Sequence, residues 1–227
     1  MRRLYGFEDL LYENEVYLSL NHHSDFSDYT ADGSLQKINT SIEHAYRFVQ
    51  SASHIVLTLG SAFSYYHLSS SAFVANCHKI PQKEFEKKLV EIERIESALN
   101  HIYQQLTTIN PSIQIILTIS PVRHLRDGVI ENNRSKARLI EAANRFISLH
   151  PQVYYFPSYE IVIDVLRDYR YYDIDYAHPN ILATDIVFEY FVDACFDSYS
   201  ATMLEKFYHL TIAKNHRPRF PNTSAHK

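Results

Sequence analysis

Residues Ile113–Ser120 read IQIILTIS, an apolar run with β-branched side chains, preceded by Asn110-Pro111 and followed by Pro121. A run this short, bounded by chain breakers, is a strand covered on both faces rather than a piece of helix. His54–Gly60, reading HIVLTLG, repeats the pattern and ends on Gly; Val153–Phe156 supplies a third strand. Between and around these runs lie helical patterns. Ser34 caps a helix to about Ser53, with Leu35, Ile38, Ile42, Ala45, Val49 and Ala52 on one stripe. Glu84–Ile109 reads as one long amphipathic helix carrying Phe85, Leu89, Ile92, Leu99, Ile102 and Leu106, stopped by Asn110-Pro111. Helices over Asn132–Leu149, Tyr159–Asp168 and Ile181–Phe196 complete the series, and Glu15–Leu20 alternates well enough for a further strand. Alternation of helix and strand, with crossovers long enough to be helical, predicts an α/β fold with a parallel, doubly wound sheet.

Length and composition agree with one globular domain over residues 1–227: a poorly defined region 1–33, an α/β core 34–196 and a C-terminal extension 197–227 that includes the polar tail KNHRPRFPNTSAHK. Charged residues are 21% and the net charge is −4, so no electrostatic argument favours nucleic acid or an anionic membrane. The two cysteines, Cys77 and Cys195, make neither a disulfide framework nor a zinc site. The first twenty residues read neither as a signal peptide nor as a spanning helix, so the expectation is a cytoplasmic protein. There are only 4 Gly, where roughly 16 would be usual. Neither G-x-G-x-x-G nor a P-loop is present, which sets aside nucleotide binding by those routes. No cofactor is indicated.

Chemistry concentrates in Tyr171–Asn180, YYDIDYAHPN. Asp175 stands three residues before His178, close enough to bind one imidazole nitrogen and leave the other as a general base. The same four residues also suit a helix N-terminus with Asp175 near the cap. In open α/β sheets ligands collect beyond the carboxyl ends of the strands. That edge nominates Gly60 and Ser61 after the first strand, and PVRHLRDG, with Arg123 and His124, after the second. The segment ANCHKIP brings Asn76, Cys77 and His78 together, and His22 and His23 sit in a polar loop. A metal site drawn from His22, His23, His78, His124 and His178 would lack the i,i+4 spacing with a carboxylate common in hydrolytic zinc sites. Tyr65, Tyr66, Tyr169, Tyr171 and Tyr172 suit either sugar stacking or amphipathic packing.

The segments LTLGSAFSYY, VANCHKIP, SPVRHLRDG, ENNRSKA, YFPSYEIVIDVLRDYRYY, DYAHPN and HRPRFPNTSAH, with NHHSDFS ahead of them, stand in an order that resembles the GSCFA-domain family over nearly the whole chain. That family is similar to SGNH-type hydrolases. The resemblance implies a three-layer α/β/α sandwich and hydrolysis of an ester or acetyl group, on a small molecule or a carbohydrate. It implies His178 as base, Asp175 as its partner, Gly60 and Ser61 lining the pocket, and Asn76, His78, Arg123 and His124 as further pocket residues. The G-S-C-F-A motif, which supplies the family's presumed nucleophile on its first strand, is not found. Gly60-Ser61-Ala62-Phe63 is similar letter by letter, but its surroundings match the later TLG strand.

On that reading the opening strand and helix are missing, and the chain by itself has little or no hydrolase activity. Ser61, then Ser24, is the substitute nucleophile; the alternative is a catalytically dead binding or assembly module. An apolar edge at Ile55–Leu59 is then expected to be exposed and to pair with a second copy, unless Glu15–Leu20 covers it.

Overall fold

A computed structural model describes residues 3–215 and sets the central apolar run in the middle of a three-stranded parallel sheet. In chain order, a hairpin of β1 (Leu11–Glu13) and β2 (Val16–Leu18) leads to helix α1 (Ala31–Ser51) and strand β3 (His54–Leu59). Three short strands follow, β4 (Phe63–His67), β5 (Ala72–Val74) and β6 (Phe85–Leu89), then helix α2 (Ile92–Ile109) and strand β7 (Gln114–Ile119). Next come α3 (Val129–Leu149), β8 (Val153–Phe156) and α4 (Ser158–Glu160), which widens into a π-helical stretch over Ile161–Leu166. Helices α5 (Ile181–Cys195) and α6 (Ser198–Asn215) close the described chain.

The parallel sheet runs β3-β7-β8, with Ile55 beside Ile115 and Ile115 beside Val153. Side chains alternate across β7. Ile115, Leu117 and Ile119 face Leu99 and Leu106 of α2 and Leu139, Ala143 and Phe146 of α3. Ile116 turns the other way, toward Phe156, Ile161 and the inner side of α5 at Val187 and Phe191. Both faces of β7 are buried, Leu117 and Ile119 wholly on one and Ile116 and Thr118 on the other, so the run shows no solvent-facing alternation. Strand β3, expected to be buried in the same way, instead leaves His54, Val56 and Thr58 exposed.

Several expectations are corrected, and one alternative is set aside. The helix over Glu84–Ile109 begins only at Ile92, because Phe85–Leu89 is strand β6, antiparallel to β4. Phe85, Leu89 and Ile92 fit a helical stripe by spacing, but pairing with Phe63–His67 outweighs that local fit. Residues 63–67 thus form the middle strand of a second sheet, β5-β4-β6, beyond the Gly60 end of β3. Ser34 is not the cap of α1: Thr30 is, its hydroxyl accepting from the Gly33 amide at 3.1 Å, while the buried Ser34 hydroxyl donates to the Phe26 carbonyl at 2.8 Å. Glu15–Leu20 does not cover the open edge of β3, since β2 pairs with β1; Val56 stays 48% exposed.

The third helix starts at Val129, earlier than expected, and the fourth runs as α- then π-helix to Leu166 with Arg167 left-handed behind it. Helix α6 was not foreseen, and the final tail from His216 lies outside the described residues. No described helix is long and apolar enough to cross a membrane.

Candidate active site

The loop from Tyr171 to Asn180 is closed on itself before any chemistry is considered. The Asp173 amide donates to the His178 carbonyl at 2.8 Å and the Asn180 amide to the Tyr171 carbonyl at 3.0 Å. Asn180 then starts α5: its side-chain oxygen accepts from the Ala183 amide at 3.1 Å, while its nitrogen donates to the Arg170 and Tyr172 carbonyls at 2.7 and 3.2 Å. One residue therefore fixes both ends of the turn.

Within it, Asp175 uses both oxygens. Oδ1 accepts from the amides of Ala177 at 2.9 Å and His178 at 3.0 Å, and Oδ2 meets His178 Nδ1 at 2.6 Å. The hydrogen bonds from His178, amide first and then ring, with the Ala177 amide behind them, pull the Asp175 carboxyl down to about 2. An ionised carboxylate only accepts, so Nδ1 must carry a hydrogen. Neutral His178 then presents Nε2 as an acceptor. Its side chain is 61% exposed, and among the described residues no hydrogen bond holds Nε2.

The loop is docked on the exit of β7. The Arg123 amide donates to the Ala177 carbonyl at 3.0 Å, its guanidinium reaches the Tyr176 carbonyl at 3.4 Å, and it stacks 4.1 Å from the centre of the Tyr172 ring. Beside it, one face of α3 gathers two strand exits. Lys136, 1% exposed, donates to the carbonyls of Gly60 at 2.7 Å and Ser120 at 2.6 Å. Burial lowers the pKa of its ammonium to about 8. The Ser135 hydroxyl accepts from the Ala62 amide at 2.7 Å and meets Ser61 Oγ at 3.2 Å. Asn132 accepts from the His124 amide at 2.9 Å. The His124 ring is held below the ordinary histidine range, mainly by burial and then by the Lys136 charge, against a hydrogen bond to the Gly60 backbone.

The nominated residues thus fall into separate places. Asp175, His178, Arg123 and His124 come to the β7 exit, with Gly60 tied to it through Lys136. Ser61 lines a cavity of about 380 Å3 on the α2 side with Phe63, Phe73 and Arg94. Its Oγ accepts from the Phe63 amide at 3.1 Å and has no hydrogen bond to His178. Asn76 and His78 line another cavity of about 440 Å3 with His23 and Ser24, at the hairpin. There His78 Nε2 meets the Ser19 carbonyl at 2.8 Å, and Asn76 accepts from the His78 amide at 3.0 Å. Burial raises the Cys77 thiol, which packs beside Leu18, Val74, Ile80 and Phe85. Among the described residues no three His, Cys, Asp or Glu side chains gather as a metal-binding group.

A groove of about 430 Å3 runs from Pro179 past Pro121, Ser120 and Ser158 to Val56 and Phe188. Reading the sequence missed Ser135 and Lys136. The signal was available: Asn132, Ser135 and Lys136 continue the same stripe as Leu139, Ala143 and Phe146, so three polar side chains sit on the face that turns to the sheet.

No curated protein and no solved structure matches the chain. The model of the GSCFA family matches residues 2–191, a span that takes in both larger sheets, the Asp175–His178 pair and most of α5, and the protein belongs to that family.

Proposed function

We propose that this chain is an SGNH-like member of its family, in which His178 is the general base and Asp175 the group that fixes its tautomer, for hydrolysis of an ester or acetyl group on a small molecule or a carbohydrate. The observation that carries the reading is the 2.6 Å contact of Nδ1 with a carboxylate held ionised, on an exposed side chain whose Nε2 has no hydrogen-bond partner among the described residues. A parallel sheet with α2 and α3 on one face and α5 on the other supports the three-layer arrangement. Gly60, Arg123 and His124 lie at the same edge and serve as pocket residues, with Asn76 and His78 more remote.

Turnover by the chain alone is low. Ser61, the first choice as nucleophile, is hydrogen-bonded to Ser135 and the Phe63 amide rather than to His178, so no base lowers the barrier to its attack. Ser24 lies in the hairpin cavity, away from the β7 exit. That observation also favours a second reading, a binding module on the same scaffold with an idle acid–base pair.

Hydrolysis of p-nitrophenyl acetate and of an acetylated oligosaccharide separates the two. The hydrolase reading expects a slow rate that His178→Ala and Asp175→Asn each reduce at least about tenfold, within the usual reach of general-base catalysis, and that Ser61→Ala leaves nearly unchanged. A wild-type rate no higher than that of His178→Ala gives the binding module. A fast rate lost in Ser61→Ala overturns the low-activity assignment and makes Ser61 the nucleophile.

A further inference from the structure

Behind the His178 loop lies a small polar cleft of about 190 Å3, walled by Arg123, Arg167, Asp168, Tyr169, Tyr172 and Ile163. Its charges do not balance internally. Asp168 is bound to Arg170, accepting from its amide at 2.9 Å and from its side chain at 3.0 Å. The guanidinium of Arg123 touches a carbonyl and two aromatic rings, those of Tyr172 at 4.1 Å and Tyr169 at 5.7 Å. Neither Arg123 nor Arg167 has a carboxylate partner among the described residues. Two cations therefore face one cleft whose single acid is already engaged.

Two further features of the wall point the same way. Tyr172 is 8% exposed, and among the described residues its buried hydroxyl finds no acceptor for its hydrogen, the neighbouring polar group being the Arg123 guanidinium. Burial raises its phenol, so it stays a donor. The neighbouring Arg123 has only donors to offer, so the phenol hydrogen lacks an acceptor whatever the guanidinium does. Arg167 is held at φ 43° directly behind the π-helical stretch, a left-handed conformation that a non-glycine residue adopts at a cost. The group that would answer an orphan O–H and two guanidiniums is one that only accepts hydrogen bonds and carries negative charge. A carboxylate does both, and its planar pair of oxygens matches the guanidinium fork.

We infer that the Arg123–Arg167–Tyr172 cleft binds a carboxylate, and that the substrate acted on beside His178 is acidic. The Arg123 amide holds the Ala177 carbonyl and the Tyr169 ring lies 5.8 Å from that of Tyr176, so cleft and catalytic loop share a wall. A molecule anchored by its carboxylate there lies against the loop that carries His178. The substrate half of this assignment rests on His178 being the base; the binding half does not.

Calorimetric titration of the whole chain with glucuronate, glucose and inorganic phosphate tests it without any turnover. Glucuronate is expected to bind at least tenfold tighter than glucose and tighter than phosphate. Arg167→Ala should weaken it fivefold or more, Arg167→Lys should restore most of that loss, and Tyr172→Phe, which keeps the ring, should weaken it about threefold without lowering Tm. Equal affinity for glucuronate and glucose, or wild-type affinity in both Arg167→Ala and Tyr172→Phe, overturns the site. Tighter binding of phosphate overturns the assignment to a carboxylate. Because the readout is heat of binding, failure here leaves the acid–base reading of His178 untouched, and an inactive His178 leaves the cleft untouched.

Discussion

Asp175 shows how much a single side chain can organise. Its carboxyl sits near 2 because three hydrogen bonds favour the charged form. A depressed carboxyl gives its full stabilisation above its unfolded value, and loses it as the pH falls through the folded one. Titration of the Asp175 carboxyl carbon by NMR should therefore show it still ionised at pH 3.5, with the His178 contact intact, and protonating only near pH 2. Lys136 behaves in the opposite sense. Its folded value of about 8 lies below the unfolded one, so between them the unfolded chain holds more protons and stability rises with pH. Lys136→Met leaves the Gly60 and Ser120 carbonyls without their donor, at a cost of about 2 kcal/mol. Urea unfolding should show that loss at pH 7 and a larger one at pH 10.

Elements are joined here by polar side chains as well as by the core. Asn110, which ends α2, is buried. Its amide nitrogen donates to the Val49 and Ala52 carbonyls at 2.9 and 2.8 Å, and its oxygen accepts from the Ser112 amide and hydroxyl at 3.1 and 2.8 Å. One residue thus stops a helix, turns the chain into β7 and fastens the end of α1. Asn110→Ala should cost about 2–3 kcal/mol by chemical denaturation, since it strands buried carbonyls. At the centre of the sheet, Leu117→Ala should cost about 3–5 kcal/mol, because a wholly buried leucine leaves a cavity its neighbours cannot fill. A loss under about 1 kcal/mol at either site would show that the element is not anchored as described.

For the whole molecule the open side of β3 matters most. The Ser53 carbonyl accepts from Gln114 and the Leu59 carbonyl from Ser120, so the odd-numbered residues face β7. The amides and carbonyls of His54, Val56 and Thr58 are left toward the edge, which carries neither Pro nor a Lys, Arg, Asp or Glu side chain. Such an edge lacks the usual guards against pairing, and a two-fold axis would let it pair with its own copy. Light scattering at micromolar concentration is expected to show dimers, and Val56→Lys to return monomers. A monomeric wild type would count against edge pairing.

Much of this architecture was legible beforehand, and for one reason. Strands of a helix-covered parallel sheet must be apolar on the covered face, so HIVLTLG, IQIILTIS and VYYF announced themselves, and the amphipathic helices between them set the α/β class, although only IQIILTIS is buried on both faces. Spacing likewise placed Asp175 within reach of His178, because both lie in one short loop. Long-range pairing was beyond it. Residues 85–89 joined β4 rather than α2 because partners distant in sequence outweigh a weak local preference. Ser135 and Lys136 met Gly60, Ser61 and Ser120 only when α3 packed across two strand exits. The chain by itself determined the three strands of the parallel sheet and the helices between them, and which acid serves which imidazole. Only the tertiary structure decided what stands around that imidazole, because burial and distance between remote residues are properties of packing and not of order along the chain.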